Sequence, residues 1–164
     1  MLSAPIPTNE NRRLQSLKSM GILDTAPEDR FDRYTREAAE RLHVPISTIS
    51  IIDSEREWYK SCHGLSEREG SREASFCGHT ILNREIFVVE NTLNDERFKD
   101  NPTVTGKPHI RFYAGISLHS GDGFPVGVLC VKDRVPRRLT AGDAAVLIDL
   151  ASRVEKELNS RVNR

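Results

Sequence analysis

The hydrophobic patterning of this chain predicts an α+β domain. It should have a central antiparallel sheet of five to six strands, terminal helices on one face, and crossover loops and short helices on the other. Three observations lead there. Apolar residues recur at helical spacing near both ends, whereas the middle is rich in β-branched and alternating segments. The strand-like segments come as two hairpin-forming pairs, 46–62 and 111–132, each joined by a short polar turn. Between the pairs lies a long polar stretch interrupted by Pro102, Gly106 and Pro108, which suits a crossover rather than a regular element. A sheet of this kind must cover both faces, and the flanking helices and the crossover are the segments available to do so.

The elements follow in order. Residues 1–8, with Pro5 and Pro7, read as a flexible lead-in, and 9–160 as a single domain. The first helix starts near Thr8 or Asn9, whose side-chain oxygens can cap it. It carries Leu14, Leu17 and Met20 on one stripe and stops at Gly21. The second should start at a Thr25–Glu28 capping box with Pro27 in its first turn, and present Phe31, Tyr34, Ala38 and Leu42 to the core. Pro45 disfavours helical geometry at Val44, so this helix ends near His43. Ile46–Asp53 and Glu57–Cys62 are the first hairpin, turning at Ser54-Glu55-Arg56, and Ser66–Glu73 is an exposed charged loop. Ser75 can cap a short helix over Phe76–Leu82, and Phe87–Glu90 is a short strand.

Arg111–His119 and Pro125–Lys132 form the second hairpin around Ser120-Gly121-Asp122-Gly123, a strong turn signal. The last helix begins at Thr140, with Asp143 completing a capping-box pattern. Its Ala144, Leu147, Ala151, Val154 and Leu158 are spaced three and four apart, which serves either a helix packed on its own sheet or a dimer seam.

Composition narrows the function. The 164 residues carry 24 basic and 24 acidic side chains, a balance unlike the basic excess of duplex nucleic-acid binders. No apolar run approaches the ~20 residues that span a membrane. Three cysteines, Cys62, Cys77 and Cys130, are an odd, sparse set rather than a disulfide framework. With no secretory leader, they favour a reducing, cytoplasmic setting.

Several segments, in order, carry a family resemblance: Leu14 through Gly21-Ile22-Leu23-Asp24-Thr25-Ala26-Pro27-Glu28 to Phe31-Asp32, then Ile51-Ile52-Asp53 and Arg56-Glu57-Trp58-Tyr59-Lys60-Ser61. Ser75-Phe76-Cys77-Gly78-His79-Thr80-Ile81-Leu82, Asn94-Asp95-Glu96-Arg97-Phe98 with Asn101-Pro102, Ile110-Arg111-Phe112-Tyr113-Ala114-Gly115 and Gly127-Val128-Leu129-Cys130-Val131-Lys132-Asp133 continue it. From about Glu10 to Leu158 the chain resembles the GAF domains of bacterial signalling proteins, in particular those beside histidine kinases and diguanylate cyclases. The resemblance implies terminal helices on one face of the sheet, where homodimers often form, and a small-ligand pocket on the other. It implies a sensory role exercised through an output kinase or cyclase rather than catalysis by the domain itself. It assigns no cofactor, since family members bind cyclic nucleotides, bilins, haem, anions or nothing known.

The residues expected at the pocket are Arg111, Trp58, Phe76, Cys77, His79, Phe112, Tyr113 and Asp95. Arg111 enters a strand directly after the crossover, where a guanidinium can grip a carboxylate or phosphate bidentately. The alternative is a structural arginine paired with Asp95 or Glu96. The aromatic residues offer stacking walls, although Phe112 and Tyr113 must face opposite sides of the sheet. Cys77 and His79 supply too few ligands for a zinc site, which needs about four.

Other chemistry within the family is less well matched. Bilin-attaching members use a cysteine in the crossover, whereas Cys62-His63 ends the early hairpin. Free methionine-(R)-sulfoxide reductases are catalytic GAF domains with three central cysteines. Cys77-Gly78 looks like one of these, but the Pro108–Phe112 segment has none. The dispersed Asn-Lys-Phe-Asp-Glu signature of cyclic-nucleotide-binding members is absent. Alternatives to a ligand sensor are therefore a thiol-based sulfoxide reductase and a ligand-free dimerisation module.

Overall fold

In the computed structural model, which describes residues 1–162, the chain runs through α1 (Glu10–Met20), α2 (Asp29–Leu42), β1 (Ile46–Ile52), β2 (Arg56–His63), β3 (Glu69–Ser71) and α3 (Phe76–Thr80). It continues through β4 (Phe87–Val89), a 3-10 turn (Thr92–Asn94), α4 (Pro102–Thr105), β5 (Phe112–His119), β6 (Pro125–Asp133) and α5 (Ala141–Val162). The strands make one antiparallel sheet in the order β3-β2-β1-β6-β5-β4. The α+β architecture is the one predicted, with six strands.

The two faces of the sheet bury different cores. On one, Leu17, Phe31, Ala38, Leu42, Leu147, Val154 and Leu158 from α1, α2 and α5 pack against Ile49, Ile51, Ala114, Leu129 and Val131. On the other, Phe76, Cys77, Ile81, Phe98, Val104 and Ile110 from the crossover pack against Ile46, Ile52, Tyr113, Val128 and Cys130. The period-two alternation of β6 separates them, with Leu129 and Val131 facing the helices and Val128 and Cys130 facing the crossover.

Local signals explain most boundaries. Gly21 closes α1 in the left-handed region, φ +62°, with its N–H on the Lys18 carbonyl. Thr140 and Asp143 form the expected reciprocal box at the start of α5, Asp143 N–H to Thr140 Oγ1 at 3.0 Å and Thr140 N–H to Asp143 Oδ2 at 3.2 Å. Ser75 Oγ accepts from Gly78 N–H at the start of α3.

Asn9 precedes α1 without the expected side-chain cap hydrogen bond, and two further local expectations fail for tertiary reasons. The Thr25–Glu28 box does not form, because the buried Lys60 ammonium takes both side chains. It donates to Thr25 Oγ1 at 2.8 Å and pairs with Glu28 Oε2 at 2.6 Å, so α2 starts later, at Asp29. The charged 66–73 segment is not all loop. Glu69–Ser71 adds an edge strand by backbone pairing to β2, with no hydrophobic alternation to announce it. The lead-in is also tied down: Leu2 donates its N–H to the Arg97 carbonyl, and its own carbonyl lies 3.2 Å from His79 Nε2.

On α5, Leu147, Ala151, Val154 and Leu158 are buried within this chain, so the three-and-four spacing is satisfied by its own sheet. Ile148, on another side of α5, stays half exposed.

Arg13 joins α1 to the sheet. Its side chain is fully buried, donating to the carbonyls of Ile52 at 2.8 Å and Pro125 at 3.3 Å and to both oxygens of Glu10. Glu10 also receives Arg72. Burial alone would raise the Glu10 pKa, but the two guanidiniums outweigh it and hold the carboxyl down to about 2, from 4.5. Because the folded pKa lies below the unfolded one, the stabilisation is complete above about pH 4.5 and is lost as pH falls towards 2. In urea unfolding followed across this window, Glu10→Gln should flatten the acid-side loss of stability, while lowering stability at neutral pH.

Candidate functional site

The crossover face holds the polar chemistry of the sheet. Thr48, Ser50, Glu57, Tyr59, Tyr113, Cys130 and Lys132 lie on the strands and are all buried, beneath a roof formed by α3 and the segment that follows it. Lys132 is only 7% exposed, and its ammonium lies 5.7 Å from the Phe76 ring centroid and 5.9 Å from that of Tyr113. Burial pulls the Lys132 pKa down, but Glu57 together with Cys130, Tyr59 and Cys77 outweighs it, so the group stays charged. Glu57 is 3% exposed, and its Oε2 has no hydrogen-bond partner.

Aromatic stacking builds the roof. Phe76 stacks on Phe98 at 4.2 Å and on Tyr113 at 5.1 Å, and His79 meets the edge of Phe98 at 4.9 Å. Burial lowers the His79 pKa. Tyr113 anchors the roof to the sheet. Its hydroxyl shares a 2.6 Å hydrogen bond with Thr80 and donates to Cys77 Sγ at 3.3 Å. Gly115 makes room for that hydroxyl, since a Cβ there would lie 2.3 Å from it.

The three cysteines are free thiols. Cys62 lies near the end of β2 with its Sγ 3.7 Å from the Leu65 carbonyl, and burial pushes its pKa up to about 11. Cys77 and Cys130 are fully buried in the same crossover-side cluster. Thr48 Oγ1 lies 3.0 Å from Cys130 Sγ. Burial raises both thiols. Cys77 and the Lys132 ammonium nevertheless bring Cys130 below the usual thiol value, while Cys77 remains well above it. Among the described residues no three His, Cys, Asp or Glu side chains converge as a metal site.

Of the residues expected at a pocket, the structure brings together Phe76, Cys77, His79 and Tyr113. Asp95 lies at the end of the 3-10 turn, held by Arg97, whose Nη2 is 2.7 Å from Asp95 Oδ2 and whose guanidinium covers Phe87 and Phe98. Trp58 and Phe112 are elsewhere: strand alternation puts both in the helix-side core. Arg111 does not bind Asp95 or Glu96. It donates to the carbonyls of Val104 and Ile110, fastening α4 to the start of β5. Sequence reasoning missed Glu57, Tyr59 and Lys132. The available signal was a lysine two residues beyond Cys130 and four beyond Val128, on one face of an otherwise apolar strand.

Two hollows open at the margins of this face. One, of about 380 Å³, is lined by Gly64, Leu65, Ser66, Glu67, Lys107, Pro108, His109 and Arg134, and Leu65 also packs on the crossover core. The other, of about 410 Å³, lies between the lead-in at Ser3, Ala4 and Ile6 and the residues Ser54, Glu55, Ser71, Arg72 and Glu73.

The sequence profile of the GAF domain family matches residues 26–158. The chain belongs to the GAF family. A cyclic di-GMP phosphodiesterase of Pseudomonas aeruginosa is 37% identical over 161 residues, covering 98% of this GAF chain but 27% of the phosphodiesterase. The GAF domain of an Acinetobacter phosphoenolpyruvate-protein phosphotransferase superposes with a TM-score of 0.62 at 20% identity, over 93% of this chain and 94% of that one. The free methionine-R-sulfoxide reductase of Neisseria meningitidis does so with a TM-score of 0.66 at 15% identity, over 99% and 97%. At such identities the structural likenesses establish the GAF fold, which hosts more than one chemistry.

Tightness around the Tyr113 hydroxyl gives a direct test of this packing. Gly115→Ala should destabilise the domain by roughly 1–3 kcal/mol, as overpacking does. In a Tyr113→Phe background, which removes the obstructing oxygen, the penalty should be smaller. Urea unfolding of the four proteins measures it.

Proposed function

We propose that this GAF domain is a regulatory sensor that binds a small molecule at its crossover face and passes the event through the sheet to α1, α2 and α5. The observation that supports this most is the unlikeness of the two faces. The helix side is a mainly apolar core whose buried cations, Arg13 and Lys60, are each held by carbonyl, hydroxyl or carboxylate oxygens. The crossover side is roofed by short segments, contains buried charge at Glu57 and Lys132, and opens to a hollow at Leu65. That hollow is within the range of small-ligand sites, and Lys107, His109 and Arg134 suit a ligand with an anionic group.

Ligand binding can bias the helices only by differential affinity for two arrangements of the roof. The phosphodiesterase relative supports an output role, because a segment like this chain is about a quarter of a much longer signalling enzyme. Phosphodiesterase, kinase or cyclase activity would then belong to a partner or neighbouring domain, in a cytoplasmic setting. Homodimerisation would use the outer stripe of α5 at Ile148, since the stripe through Leu147 and Val154 is occupied.

A thermal-shift panel of metabolites, run with a thiol reductant present, tests the sensor reading. A true ligand at 100 times its dissociation constant should stabilise the domain by ~2.7 kcal/mol. Lys107→Ala combined with Arg134→Ala should weaken an anionic hit by about tenfold or more, whereas Arg111→Ala should act on stability rather than on binding. A panel without hits, or a hit indifferent to the double variant, would contradict the assignment of the seat.

The proximity of Cys77 and Cys130 favours one second reading, a thiol-dependent reductase of free methionine-(R)-sulfoxide. Turnover of that substrate with a dithiol reductant would support it, and none at high enzyme concentration would remove it.

A further inference from the structure

We propose that Cys77 and Cys130 are a peroxide-responsive dithiol that closes into a disulfide and fastens α3 to β6. The argument begins with placement. The two thiols come from opposite layers, one from the roof helix and one from a central strand of the sheet, and meet in a single buried cluster. Each also has a hydroxyl partner, Tyr113 for Cys77 and Thr48 for Cys130. A thiolate in such a site needs a compensating cation, and the Lys132 ammonium is two residues along the strand on the same face. The electrostatics agree, with the proton favoured on Cys77 and Cys130 the more acidic of the pair. Cys62, on β2 with its Sγ directed at the Leu65 carbonyl and its pKa raised by burial to about 11, serves as an internal comparison.

The chemistry needs a hydroperoxide as oxidant, small enough to enter when the five-residue α3 opens locally. The Cys130 thiolate attacks one peroxide oxygen and the O–O bond breaks. The departing oxygen takes a proton and leaves as water or an alcohol, and Cys130 becomes a sulfenic acid. Cys77 sulfur then attacks Cys130 sulfur, the S–O bond breaks, and the hydroxide takes the Cys77 proton and leaves as water. Two thiols have lost two electrons and the peroxide has gained them. The product holds the roof to the sheet at the layer where ligand binding is proposed to act, so oxidation would be a second input to the same domain. The thiol pair is independent of the ligand seat, and either idea can fail without the other.

The experiment treats the folded, fully reduced chain with hydrogen peroxide, blocks remaining thiols with an alkylating reagent after unfolding, and maps the peptides by mass spectrometry. The expected product has lost two hydrogens, carries a Cys77–Cys130 cross-link, and is alkylated only at Cys62. Cys62→Ser should leave the reaction unchanged. Cys77→Ser should stop at a Cys130 sulfenic acid that dimedone captures. Lys132→Met should slow oxidation by about tenfold. Because the mapping is done on the unsubstituted chain, a poorly folding variant does not remove the test. Retention of all three thiols at peroxide doses that fully oxidise a small-molecule dithiol would overturn the proposal. So would oxidation confined to Cys62, or cross-linking only under unfolding conditions.

Discussion

A lysine ammonium shut away from water has to be balanced by something, and in this domain that requirement organises one whole face. Lys132 sits near the end of a central strand with the Phe76 and Tyr113 rings beside it and the Glu57 carboxylate as its counter-charge. Leaving a buried charge without its counter-charge costs more than losing a surface ion pair. The aromatic roof keeps water off the charge. The charge in turn tunes Cys130, and the Tyr113 hydroxyl holds the roof down through Thr80 and Cys77. A face built around an incompletely satisfied buried carboxylate differs from the other side, where the buried cations Arg13 and Lys60 have carboxylate and carbonyl partners.

Strand alternation lets one thin sheet carry both. Neighbouring residues of β6 serve different masters: Leu129 and Val131 seal the helix layer, while Cys130 and Lys132 meet the crossover. Any rearrangement of the crossover that tilts β6 therefore reaches the helices without a long chain of intermediates. Arg13 ties the helix side to the strand ends by joining α1 to the carbonyls of Ile52 and Pro125.

Much of this was legible in the sequence. The α+β order, both hairpins, the Gly21 stop, the Ser75 cap and the Thr140–Asp143 box depend on residues close together in the chain, and they were read correctly. Where the reading failed, a competing partner or the parity of a strand had decided the outcome. Thr25 and Glu28 have the spacing of a cap, but Lys60 reaches them from β2. Arg111 has the chemistry of an anion anchor, but the carbonyls of α4 and its own neighbour claim it. Trp58 and Phe112 look like pocket walls by type and are excluded by parity along their strands. Phe76, Cys77, His79 and Tyr113 were gathered onto the expected face because α3 and β5 were placed correctly. The Cys77–Cys130 meeting was invisible, since nothing local relates a roof helix to a strand some fifty residues later.

The central claim is that Glu57 and Lys132 act as one unit beneath the roof. A double-mutant cycle with Glu57→Gln and Lys132→Met, followed by urea unfolding at neutral pH, measures that most directly. The single variants should each be strongly destabilised, and the double variant should lose less than the sum, with a coupling of about 1–3 kcal/mol. Additivity within ~0.5 kcal/mol would mean that the two charges are independent, and would contradict the account of this face.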